Sequence, residues 1–138
     1  MKSSPSVWVV DDDASIRWVL EKALSNAGFD PKLFTNSEDV MVYIDKEKPD
    51  VILTDIQMSG SSGLELLKNL VQKIPNLPVI LMTAYSDLDN AVAAYRNGAF
   101  EYLPKPFDLE EAITLVKRAL EKKNSFVLDT PAKQKTNE

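Results

Sequence analysis

The chain has 138 residues, 44% of them hydrophobic, with 16 Lys plus Arg against 21 Asp plus Glu and a formal net charge of -5. That is enough chain for one domain with a real core, and an acidic chain with no basic stripe is a poor match for nucleic acid. Cysteine and histidine are both absent, which excludes disulfides, thiolate or imidazole catalysis, Cys/His zinc sites and a phosphohistidine carrier.

The N-terminal stretch Met1–Ser6 is short and polar. The apolar run after it is too brief for a signal peptide, and no run approaches bilayer length, so the cytoplasm is the expected compartment. That run, Val7–Val10, reads as a first strand and ends in Asp11, Asp12 and Asp13. Two like charges about 4 Å apart repel by roughly 4 kcal/mol at an effective dielectric near 20. A stack of acids at the end of a buried strand therefore calls for a compensating cation.

Next comes a helical pattern, with Ile16, Leu20, Ala23, Leu24 and Ala27 on one face and Gly28 as its stop. Lys32–Phe34 is a second, more polar strand suited to an edge. Val40, Tyr43 and Ile44 mark a second helix. Val51–Thr54 is a third strand, and Leu64, Leu67, Leu70 and Val71 mark a third helix. Val79–Met82 is a fourth strand. The first, third and fourth strands are nearly continuous Val, Ile and Leu, as central parallel strands covered on both faces should be. Leu88, Ala91, Val92 and Tyr95 mark a fourth helix, with Gly98 just beyond it. Glu101–Leu103 is a short fifth strand. Asp108, with Glu111 three residues on, opens a fifth helix as a capping box and leads into Ala112, Leu115, Val116, Ala119 and Leu120. After Lys122 the pattern fades, and residues 123–138 read as a linker or disordered tail. Repeated βα units imply an α/β fold built on a parallel sheet with right-handed crossovers.

Ligands of open α/β sheets sit beyond the carboxyl ends of the strands. Those ends carry Asp11, Asp12 and Asp13 after the first strand, Asp55 after the third, Thr83 after the fourth and Lys105 after the fifth. Each has an ordinary structural explanation taken alone: Asp13 as a helix cap, Thr83 as a turn residue, Lys105 as a solvated lysine, Tyr102 as a core aromatic. The combination is less ordinary. Carboxylates without His or Cys favour a hard cation such as Mg²⁺. A carboxylate beside such an ion can attack phosphorus and form an acyl phosphate, while lysine and metal neutralise the phosphoryl oxygens.

The stretches "WVVDDDASIRWVLEKAL" and "MTAYSDLDNAVAAYRNGAFEYLPKPFDLEEA" resemble receiver domains of bacterial two-component response regulators, most of all those of the NtrC (nitrogen regulator) family. The resemblance covers about Ser6 to Lys122. It implies a flavodoxin-like (CheY-like) three-layer sandwich, with a five-stranded parallel sheet of order 2-1-3-4-5 and five helices. It also implies that Asp55 is the phosphoacceptor and that Asp12, Asp13, Asp55 and the backbone carbonyl of Gln57 hold Mg²⁺, with Asp11 merely ending the strand. Thr83 and Lys105 would contact the phosphoryl group, Tyr102 would be an aromatic switch, and the Lys105–Pro106 peptide would be cis. One stretch departs from the family: the usual Met-Pro-x-x-Asp/Asn-Gly reads Met58-Ser59-Gly60-Ser61-Ser62-Gly63 here.

The partners that the resemblance implies are a sensor histidine kinase, a second receiver in a homodimer, and ATPase and DNA-binding output modules. This chain has no Walker loop and no basic helix-turn-helix, so direct DNA contact is not expected of it, nor is membrane association. A phosphatase of the haloacid dehalogenase type would need a second Asp where Gln57 stands. A flavin carrier would need a phosphate-cradling loop where the acids stand. A degenerate docking scaffold would have no reason to keep Asp55, Thr83 and Lys105.

Overall fold

The computed structural model describes residues 4–58, 61–84, 92, 96 and 98–129. Its elements are β1 (Ser6–Val10), α1 (Ala14–Asn26), β2 (Asp30–Phe34), α2 (Ser37–Tyr43), β3 (Val51–Asp55), the two-residue strands β4 (Gln57–Met58) and β5 (Ser61–Ser62), α3 (Gly63–Lys73), β6 (Val79–Ala84), β7 (Glu101–Lys105) and α4 (Leu109–Asp129). Of the helix expected around Leu88–Tyr95, only Val92 is described, and it is helical. Leu88, Ala91 and Tyr95 lie outside the described residues, as does Ser59.

The main sheet is parallel throughout and ordered β2-β1-β3-β6-β7. With the small antiparallel β4–β5 ribbon set aside, this is the expected 2-1-3-4-5 order. Side chains alternate between the two faces of a strand, and the core divides accordingly. Trp8, Val10, Phe34, Ile52 and Leu81 pack against Val40 of α2 and Ile44 at its C-cap, and against Leu66, Leu67 and Leu70 of α3. Val7, Val9, Val51, Leu53, Ile80, Met82 and Leu103 pack against Leu20 and Leu24 of α1 and Ala112, Val116 and Ala119 of α4. The result is a three-layer α/β sandwich.

Local sequence sets the ends of the helices. Asp13 caps α1, its carboxylate accepting the Ser15 N–H at 2.8 Å. At the other end Gly28 adopts φ +94°. There the Phe29 N–H donates to the Leu24 carbonyl at 2.9 Å and the Gly28 N–H to the Ser25 carbonyl at 3.1 Å, which closes the helix as a Schellman turn. Asn36 caps α2 through the Asp39 N–H. Helix α4 runs through Asp129, so the segment expected to be tail begins as helix. Between Lys122 and Asp129 there is no Pro or Gly to break it, and Pro131 is the first such residue. On the edge strand β2, the Asp30 N–H points inward to the Pro5 carbonyl, so Pro31 faces the free side.

The start of α3 holds the end of β3 in place. The Gly63 N–H donates to the Ile56 carbonyl at 2.7 Å. A Cβ at Gly63 would overlap the Asp55 carbonyl oxygen and come within 2.8 Å of the Ile56 Cα. Both obstacles are backbone, which cannot rotate away. Gly63→Ala should therefore destabilise the fold by about 1–3 kcal/mol, the usual range for overpacking, and displace the Asp55 backbone. Denaturant unfolding, with the amide shifts of Asp55 and Ile56 as the local readout, checks both effects.

Candidate functional site

Strand alternation brings the chemistry-bearing groups together. Val7 and Val9 face the α1–α4 layer, and so does the next residue of that parity, Asp11. Val51 and Leu53 lead in the same way to Asp55, and Leu103 leads to Lys105. Three strand ends thus aim two carboxylates and an ammonium at one place. Lys105 Nζ lies 2.9 Å from Asp11 Oδ2 and 3.5 Å from Asp55 Oδ1. The Asp11 side chain is fully buried, that of Asp55 is 13% exposed and that of Lys105 is 23% exposed. The other Asp11 oxygen, Oδ1, accepts the Asp13 N–H at 2.9 Å. Asp12 is exposed on the turn, and carboxylate oxygens of Asp11, Asp12 and Asp55 lie within 4.8 Å of one another.

Burial pushes the Asp55 carboxyl above its ordinary value, and the negative charges of Asp11 and, more weakly, Asp12 add to this; Lys105 offsets only part of it. For Lys105, burial works against the ammonium. Its hydrogen bond and charge interaction with Asp11, with Asp55 behind it, outweigh that and hold the group above its ordinary value. The site is therefore a crowded acid cluster with one cation shared between two carboxylates.

The cluster that forms is Asp11, Asp12 and Asp55, without Asp13. Asp13, expected among the metal ligands, spends its carboxylate on capping α1 and stays exposed. Asp11, expected only to end the strand, is the buried member of the cluster. The signal is present in the sequence: alternation from Val9 puts Asp11 on the face of Asp55 and Lys105, whereas Asp13 already belongs to the helix cap. Thr83 is the penultimate residue of β6 and is buried, opposite Pro104 of β7. Tyr102 pairs in register with Leu81 and packs half-buried on the opposite, α2–α3, layer. The backbone of Gln57 lies in the ribbon beyond Asp55, paired with Ser62. Ser62 caps α3, its hydroxyl accepting the Glu65 N–H at 3.3 Å. It supplies the oxygen acceptor that an acid or amide would offer there. The Lys105–Pro106 peptide is cis.

The donor set suits a hard divalent cation. Three carboxylates from two strand ends, with no nitrogen or sulfur ligand among them, match the oxygen preference of Mg²⁺ or Ca²⁺. An ion that keeps several of its own waters suits a cluster open to solvent on the Asp12 side.

The response regulator receiver domain family matches residues 7–117. The chain belongs to that family. The receiver is 59% identical over 114 residues to the DNA-binding transcriptional regulator NtrC of Salmonella typhimurium, covering 83% of this chain and 24% of that protein. It is 40% identical over 118 residues to its namesake from Azospirillum brasilense, covering 86% of this chain and 24% of that protein. The chain thus spans about a quarter of the length of these curated relatives. Among solved structures it is similar to the apo receiver domain of nitrogen regulatory protein C, with TM-score 0.79 and 57% identity over 86% of this chain and 95% of that one. It is also similar to NtrX from Brucella abortus, with TM-score 0.84 and 30% identity over 88% of this chain and 28% of that one. A receiver of this family is a regulatory phosphoacceptor in phosphorelay signalling rather than an enzyme turning over a free substrate. Among the described residues, no helix is long and apolar enough to cross a membrane.

This geometry has two measurable outcomes. The cluster predicts that Mg²⁺ stabilises the fold and that Asp11→Asn abolishes most of that stabilisation. Asp13→Ala should lower stability by about 0.5–2 kcal/mol through the lost cap and keep the Mg²⁺ response. Melting each protein with and without Mg²⁺ separates the two roles. The second outcome concerns pH. A carboxyl raised in the folded state contributes stability below its unfolded value and loses it as the pH rises through the folded value. In chelator, wild type should therefore lose stability as pH rises from about 3.8 through the raised value of Asp55. Asp55→Asn should melt higher than wild type at pH 7, with the gain vanishing at the acid end of the range. Melting curves across pH measure this directly.

Proposed function

We propose that this receiver takes a phosphoryl group from a sensor histidine kinase onto Asp55 and changes shape in response. The observation that carries the reading is Lys105, poised 3.5 Å from Asp55 and 2.9 Å from Asp11 beside the three-carboxylate cluster. In the transfer, an Asp55 carboxylate oxygen attacks phosphorus, the phosphorus–nitrogen bond of the donor phosphohistidine breaks, and the leaving imidazole keeps the electron pair and takes up a proton. Lys105 already donates into the site and is placed to follow the charge as it moves onto the phosphoryl oxygens. Asp11, Asp12 and Asp55, with the Gln57 backbone carbonyl, would hold Mg²⁺, which when bound neutralises phosphoryl charge. Asp13 remains the helix cap.

Thr83, one strand over at the end of β6, would donate its hydroxyl to the phosphoryl group. Tyr102 on β7 would respond to the movement of Thr83. The NtrC relatives are named as DNA-binding transcriptional regulators, which supports a transcriptional output delivered by ATPase and DNA-binding modules outside the matched stretch. In this reading residues 6–122 form the receiver and residues 123–138 lead toward the output. The compartment is the cytoplasm, and two phosphorylated receivers pair. Incubation with Mg²⁺ and a small phosphodonor should add the mass of one phosphoryl group to the intact protein. Asp55→Asn should show no addition while retaining its fold by circular dichroism. Labelling of the variant at the wild-type rate would overturn the assignment.

A further inference from the structure

The acidic cluster depends on how the turn between β1 and α1 is held. Each polar group of Asp11 has a partner. Its N–H donates to the Phe34 carbonyl at 3.1 Å, and its carboxylate accepts the Asp13 N–H and the Lys105 ammonium. Its carbonyl accepts Nη1 of Arg17 at 2.7 Å. Arg17 sits half-buried in the first half of α1, six residues on. The contact is short for a charged donor on a neutral acceptor, and such bonds are roughly twice as strong as neutral ones.

That carbonyl belongs to the peptide joining Asp11 to Asp12. Asp12 is exposed, and the place from which its carboxylate reaches the cluster is set by the backbone on its two sides. On the far side, the Asp13 N–H is fixed to Asp11 Oδ1 and the Asp13 carboxylate to the Ser15 N–H. On the near side, the Arg17 bond fixes the plane of the peptide. We propose that Arg17 is a positioning residue: by gripping the Asp11 carbonyl, it aims Asp12 toward Asp11 and Asp55, in the arrangement a divalent cation needs. This role rests on the proposed cation site and adds to it a residue outside the acid cluster.

The sign of the effect separates this role from simple electrostatics. A positive charge beside a cation site repels the cation, so if Arg17 acted only as a charge, Arg17→Met would tighten Mg²⁺ binding. If it positions, Arg17→Met weakens binding, by about 10-fold or more as for other residues that orient metal ligands. Arg17→Lys, which keeps the charge and one donor, should recover part of the loss. The measurement is titration of the three proteins with Mg²⁺ alone by calorimetry, beside their melting temperatures in chelator. Tighter or unchanged binding in Arg17→Met would overturn the proposal, and so would affinity losses that merely track melting temperature across the variants. Should wild type take up no Mg²⁺, the cation reading fails. The positioning role is then decided in the metal-free proteins: backbone shifts of Asp12 and Asp13 must move in Arg17→Met, and unmoved shifts refute it.

Discussion

The buried pair between Lys105 and Asp11, at 2.9 Å, is the contact on which the site turns. A fully buried carboxylate is costly unless it is paired and hydrogen-bonded, and breaking such a pair by removing one partner generally costs about 3–5 kcal/mol. Here the pairing joins strand ends far apart in sequence, β1 near the middle of the sheet and β7 at its edge. It also leaves Lys105 with a second carboxylate at 3.5 Å. The lysine therefore ties Asp11 and Asp55 together at one place. Burial, with the charge of Asp11 beside it, keeps Asp55 raised, and Lys105 offsets only part of that.

Much of this is legible in the chain. Continuous Val, Ile and Leu runs identify β1, β3 and β6 as central strands because only a strand covered on both faces avoids alternation. Gly28 ends α1 because the chain needs positive φ there. The polar residues at the strand ends are visible as a group because a parallel sheet collects its carboxyl ends on one side. The register of three consecutive aspartates is harder to read. Composition cannot rank Asp11, Asp12 and Asp13. The pleat of β1 and the N-cap geometry of α1 do rank them, and both act within a single residue of the boundary. The extension of α4 to Asp129 is hidden for a different reason: an amphipathic pattern can fade before a helix ends, and no Gly or Pro lies between Lys122 and Asp129 to mark an earlier stop.

The loop departing from the family pattern shows how one role can be met by different residues. Ser62 caps α3 with a hydroxyl, and Gly63 lets α3 approach the backbone of Asp55 and Ile56 more closely than any side chain would allow. The helix is thus seated directly on the strand that carries Asp55. Tyr102 and Thr83 belong by parity to the α2–α3 layer, whereas Asp11, Asp55 and Lys105 belong to the α1–α4 layer. The two groups come together at the edge of the β3–β6 pairing, where Met82 is the register partner of Asp55 and Thr83 is the next residue along.

Pro31 has a consequence for the behaviour of the chain in company. In a parallel strand, successive residues direct their hydrogen-bonding groups to opposite sides. Asp30 and Phe34 face β1, which leaves Pro31 and Leu33 facing the open border of the sheet. Proline has no N–H to offer, so this border presents a broken row of donors to an incoming strand. Unpaired edges are where sheets recruit other chains into aggregates. A single proline on this border therefore makes the edge harder to copy. Self-templated growth through β2 is thereby disfavoured.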